Sequence, residues 1–190
     1  LPNEWQTRFI GHSQRPGNGA NFEGGVFTVR GSGRDIGEGR EPVDNFQFVH
    51  QSLTGDGEIV ARIAESEIKS REPKVGVMLR ESLADGAKNV ALLLTPKDGA
   101  RLSVRMAEDG GSRKVMATTE GTRWVKLTRE GDTFTGYISQ DGESWMIVGA
   151  AITIEMSPEL RAGLAVTAGN RDGSKNHTAS FDHVSLTPGK

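Results

Sequence analysis

Arg62, Arg80 and Arg105 each stand on the polar side of an alternating segment. Ile59, Ala61 and Ile63 alternate with Val60 and Arg62. Val75, Val77 and Leu79 alternate with Gly76, Met78 and Arg80. Leu102, Val104 and Met106 alternate with Ser103, Arg105 and Ala107. A period of two marks half-buried strands, so the three guanidinium groups point away from the core faces of their strands. A guanidinium is planar, always charged and carries several donors, which suits sugar hydroxyls, carboxylates or sulfates. If the three strands share one sheet, the arginines line a groove beside the small residues Gly76 and Ala107, with Asp35, Asp44 and Gln47 at its rim. Trp124 and Tyr137 share the non-core face of another hairpin, where flat rings can stack on sugars. A plainer reading stands beside this one. Outward arginines often pair with carboxylates on neighbouring strands, and Trp124 can simply pack under a loop.

Catalytic patterns are sparse. No two carboxylates are placed by spacing at the separation a glycosidase needs, and no EXDXXE strand motif is present. His12, His50, His177 and His183 are far apart and form no metal-binding spacing. His50 alternates with Phe46 and Phe48 and reads as a packed side chain. No GxSxG nucleophile elbow occurs. The segment 31–37 is glycine-rich, but no P-loop lysine follows it, so it reads as a surface loop. A net charge of −2 argues against a dedicated nucleic-acid binder. The absence of cysteine excludes disulfides and thiolate metal sites. No apolar run reaches membrane-spanning length. No signal peptide is present, but Leu1 is not a natural start, which fits a leader removed before it.

The elements that must position these residues are strands. With 190 residues and 25 glycines, the chain reads as one domain, 1–190, with glycines marking turns. Strand patterns run over residues 5–10, 26–30, 45–53, 58–64, 74–82, 89–95, 101–107, 114–118, 151–155, 160–168 and 178–186, while 11–25 reads as loop and 40–44 as exposed. The segment 89–95 is almost wholly apolar, as in a strand covered on both faces. The clearest stretch is 124–149: three short strands, with Asp141-Gly142 as a tight turn that Trp145 is expected to roof. In the last strand, Ala179, Phe181, His183 and Ser185 are expected to share one face. Many short strands at even spacing, with no helical period, predict an all-β, two-sheet antiparallel sandwich.

Six stretches carry a family resemblance: GGVFTVRGSGRDI, DNFQFVHQSLTGDGEIVARI, KVGVMLRESL, WVKLTREGDTFTGYISQDGESW, AGLAVTAGN and ASFDHVSL. In this order they resemble the concanavalin A-like domains of the DUF1349, or "regulation of enolase protein 1", type. The resemblance implies a jelly-roll sandwich similar to carbohydrate-binding and laminin-G-like modules, within secreted bacterial multidomain proteins. Localisation is then extracellular or periplasmic, and the partners are a carbohydrate and neighbouring domains of a larger protein. It also raises a structural Ca²⁺, with Asp182 as ligand and Asn170, Asp172 and Asn176 as nearby donors. The function implied is non-catalytic polysaccharide binding. The alternatives are a small hydrolase or lyase using Asp or Glu with Arg in the groove, and a protein-interaction domain.

Overall fold

The computed structural model describes residues 1–12, 18–37, 44–66, 73–96, 99–117, 121–170 and 175–189. Its strands are β1 (Gln6–Ile10), β2 (Gly19–Glu23), β3 (Val26–Gly31), β4 (Phe46–Thr54), β5 (Gly57–Ser66), β6 (Lys74–Arg80), β7 (Asn89–Thr95), β8 (Gly99–Arg105), β9 (Ser112–Ala117), β10 (Trp124–Glu130), β11 (Thr133–Ser139), β12 (Met146–Ile147), β13 (Ile152–Thr153), β14 (Glu159–Thr167) and β15 (His177–Pro188). All pairings are antiparallel. One sheet runs β1-β4-β14-β6-β7-β8-β9, the other β12-β11-β10-β5-β15-β3-β2, with β13 on β11. Among the described residues, no helix is long and apolar enough to cross a membrane. The all-β sandwich expected from the alternation is the observed fold.

The alternation explains the core. Val75, Val77 and Leu79 of β6, Val90 and Leu92 of β7, and Leu160, Ala162, Leu164 and Val166 of β14 meet Ile59, Ala61, Val125, Leu127, Phe134 and Phe181 from the facing sheet. A second cluster covers the outer face of the seven-stranded sheet. Phe46, Phe48, Met78, Ala91, Leu93 and Ala165 are sealed there by Ile10 and by Ile36 from the loop after β3. This loop is why β7 is apolar on both faces. Gly76 lies opposite Leu93 of β7, whose backbone leaves no room above it. A Cβ on Gly76 would stand 2.0 Å from the Leu92 carbonyl oxygen. That glycine admits a neighbouring strand, not a ligand.

Two elements depart from expectation. Residues 19–23 form an edge strand where a loop was expected, with Ala20 and Phe22 packed on the core. In β15 the pairing with β5 shifts register between Asp182 and Ser185, and His183 takes φ 49°. A bulge of this kind reverses the side-chain phase. Ala179 and Phe181 are buried, but beyond the bulge Val184 and Leu186 pack on the core, and His183 turns outward.

The β11–β12 turn forms around Ser139, Asp141 and Gly142. Backbone N–H groups of Glu143 and Ser144 both donate to Asp141 Oδ1 at 2.8 Å, and the Ser139 hydroxyl donates to the same oxygen. These bonds hold the Asp141 carboxyl well below the usual range. Trp124 covers the turn, while Trp145 lies against Lys126: a Cβ on Gly142, at φ +83°, would lie 2.8 Å from the indole of Trp124. Gly142→Val is therefore expected to cost roughly 1–2 kcal/mol from the left-handed backbone alone, and displacing Trp124 adds to it. An unchanged melting temperature would show that this turn does not constrain the fold.

Candidate functional site

The residues expected to form one groove divide between two opposite faces of the sandwich. Arg80 and Arg105 stand on β6 and β8 of the seven-stranded sheet, separated by Asn89 of β7 in one cross-strand row. Arg62 stands on β5 of the other sheet, opposite Trp124 and Asp182. The shared arginine face is thus corrected. Alternation says that a side chain faces away from the core, but each sheet of a sandwich has such a face.

On the seven-stranded sheet the expected rim residue Asp44 is completely buried, as are Arg80 and Arg105. Arg105 Nη2 donates to Asp44 Oδ1 at 2.8 Å, and Arg105 Nη1 to Oδ2 at 2.9 Å, a bidentate pair. Arg80 Nη1 donates to Oδ2 at 3.2 Å. The Gly37 N–H donates to Oδ1 at 3.1 Å. The remaining guanidinium donors reach carbonyls of the covering loops: Ser82 and Ala84 for Arg80, Asp85, Ala87 and Gly110 for Arg105. Burial pushes the Arg80 guanidinium downward, and the Asp44 charge opposes this. Asp35 belongs to the same cover, pairing with Lys74 at 2.7 Å. Gln47 is buried on the inner side of β4 and donates to the Thr7 hydroxyl at 2.6 Å. These groups fasten loops over a sheet face. They present no open groove.

On the eight-stranded sheet the arrangement is open. Arg62 makes a bidentate bond to Asp182, from Nε to Oδ1 at 2.6 Å and from Nη2 to Oδ2. The Arg62 side chain remains 37% exposed. The Arg62 bond holds the Asp182 carboxyl down at about 2, and the same bond raises Arg62. The Arg62 guanidinium lies 5.9 Å from the Trp124 ring, and His183 lies 5.1 Å from it on the bulge. One strand along, Lys126 Nζ stands 4.9 Å from the Tyr137 ring and 4.3 Å from that of Trp145. Trp124, Lys126, Tyr137 and Trp145 are all half-buried. His183, Lys126 and Trp145 join the cluster without having been expected there. The bulge that brings in His183 has no period-two signature.

The residues do not fit the calcium site. Arg62 occupies both Asp182 oxygens, Asp172 lies outside the described residues, and no group of three His, Cys, Asp or Glu suited to a metal occurs among the described residues. The candidate carboxylates Asp35, Asp44 and Asp182 each carry a cationic partner. The Arg62 bond favours the ionised form of Asp182, the opposite of what a general acid needs.

No family model and no curated protein sequence matches the chain. Solved structures match its fold. A functionally unknown protein from Saccharomyces cerevisiae superimposes with TM-score 0.74 at 20% identity, over 97% of each chain. Carbohydrate binding module CBM66 from Bacillus subtilis matches at TM-score 0.59 and 16% identity, over 97% of this chain and 95% of that one. An immunostimulatory antigen and pseudo β-1,3-glucanase of Mycobacterium tuberculosis matches at TM-score 0.63 and 13% identity, over 100% and 92%. At these identities the likeness is one of fold.

Proposed function

We propose that this domain is a carbohydrate-binding module of a secreted bacterial protein, and that it binds, without acting on the sugar, through the outer face of the eight-stranded sheet. The observation that carries this reading is the open cluster of Arg62, Asp182, Trp124, Lys126, Tyr137 and Trp145. It combines fixed charged donors and acceptors with aromatic rings, the chemistry that recognises sugar hydroxyls and C–H faces. The fold likeness to a carbohydrate-binding module supports it. The sealed Arg80–Asp44–Arg105 cluster takes no part.

A glycan array on the intact protein, followed by titration of any hit, tests this. Arg62→Ala is expected to weaken binding about tenfold or more, since a hydrogen bond to a charged group contributes about 1.5–3 kcal/mol, and Tyr137→Ala is expected to weaken it too, by removing a stacking ring. Unchanged affinity in both variants, with unchanged melting, would remove this face from consideration.

A second reading, protein interaction, has its own observation. Val115 (44% exposed), Met116 (47%), Met146 (54%) and Ile147 (51%) lie on β9 and β12, the end strands of the two sheets. Gly149 beside β12 meets Val115, so these edges adjoin. Exposed apolar side chains on adjoining sheet edges are a feature that docking surfaces use. Replacing these four by serine leaves glycan affinity intact on the first reading.

A further inference from the structure

A cleft of about 660 Å³ opens at one end of the sandwich, between the two sheets. Ile63, Val75, Leu94 and Pro96 supply apolar walls, and Ser66 and Arg123 supply polar groups. Ser66 ends β5 and pairs with Ala179 of β15; His177 begins β15 two residues earlier. Ala179 is a core residue, and alternation puts His177 on the same inward side. The Ser66 Oγ and His177 Nε2 atoms are 2.8 Å apart. Ser66 is half-buried at the cleft wall, while His177 stands behind it, 5% exposed. That is the order of access a nucleophile and its base require.

We infer that Ser66 and His177 form a nucleophile–base pair that acts on a small, uncharged carboxylic ester in this cleft. In the Nδ1–H tautomer, His177 Nε2 accepts the serine proton as Oγ bonds to the ester carbonyl carbon. The carbonyl π electrons move to oxygen. Collapse of the tetrahedral intermediate breaks the bond to the alkoxy oxygen, which leaves as an alcohol with the proton from His177. Water then attacks the acyl-serine carbonyl, losing its proton to His177; collapse breaks the bond to Ser66 Oγ, which takes that proton back from His177, and the carboxylic acid is released. Arg123 lines the same cleft. Its Nη1 donates to the carbonyl of Ala64, two residues before Ser66, at 2.9 Å. An anchored cation there is suited to the oxyanion that develops. The apolar walls favour a short acyl group, and the volume lies within the range of roughly 300–1,000 Å³ common for small-molecule pockets. This inference is independent of the sugar-binding face on the opposite side of β5.

The test is covalent labelling of the intact protein with a fluorophosphonate, read by intact mass and peptide mapping. The expected result is one adduct, on Ser66, and hydrolysis of p-nitrophenyl acetate that Ser66→Ala abolishes. His177→Gln keeps a hydrogen-bonding group beside Ser66 but no base, and is expected to slow labelling at least tenfold while the melting temperature stays within a few degrees. No adduct on the wild type, or an adduct only at other residues, overturns the inference whatever the variants do. Equal labelling of Ser66 in His177→Gln overturns it as well, because the contact would then be only a stitch between strands.

Discussion

Asp44→Ala is expected to destabilise the protein by about 3–5 kcal/mol, the cost of leaving buried charge uncompensated. Asp44 is the carboxylate that both Arg80 and Arg105 reach, and all three are completely buried. Removing it leaves two guanidinium groups facing each other across Asn89. It also frees the Gly37 N–H and the Asn89 amide, which point at the same carboxylate. Asp44→Asn keeps the shape and one acceptor but not the charge, and should recover only part of the loss. Chemical denaturation at neutral pH measures both. A cost below about 1 kcal/mol for Asp44→Ala, well under the range for a broken buried pair, would show that water reaches the cluster. The same logic moves Arg80→Ala from a binding test to a stability test. Its guanidinium also holds the carbonyls of Ser82 and Ala84, so truncation loosens the cover of the sheet face.

The sheets were legible because burial on one face writes a period of two into the sequence. Alternation alone places Val75, Val77 and Leu79 inside, and all three are buried in the core. His50 is packed as its alternation with Phe46 and Phe48 implied: it stacks on Phe48 with ring centres 5.1 Å apart. Neither sheet membership nor long-range pairing leaves such a trace. Arg62 and Arg80 carry the same local signature, yet their strands lie in different sheets. Asp44 looked like an exposed rim residue because its partners, Arg80 and Arg105, are 36 and 61 residues away. Ser66 and His177 are separated by 111 residues, and nothing near either one announces the other. The reversal at His183 was hidden for another reason. A bulge adds a residue without changing composition, so a strict alternation read through it assigns every later side chain to the wrong face.

Acid should destabilise this fold through His50. The side chain is 3% exposed, its Nδ1 has no hydrogen-bond partner, and it is neutral in the folded state. Burial lowers its value from 6.5 to about 4, and the charges of Arg161, Arg80 and Arg8 push the same way. The sign follows from proton counting. Below pH 6.5 the unfolded chain protonates His50 while the folded chain does not, so the unfolded state gains free energy of binding. Stability contributed by the neutral ring is complete above the unfolded value and is lost as pH falls from 6.5 toward 4. Each pH unit of that window is worth up to about 1.4 kcal/mol, so the loss by pH 4.5 is on the order of 2–3 kcal/mol. Denaturation curves of wild type and His50→Gln at several pH values isolate this, because the other histidines and the carboxylates are common to both. The wild type is expected to lose stability more steeply between pH 6.5 and 4.5, with the two curves parallel above pH 7. Curves that stay parallel down to pH 4.5 would mean that His50 protonates in place, with the ring open to water and its three arginine neighbours screened.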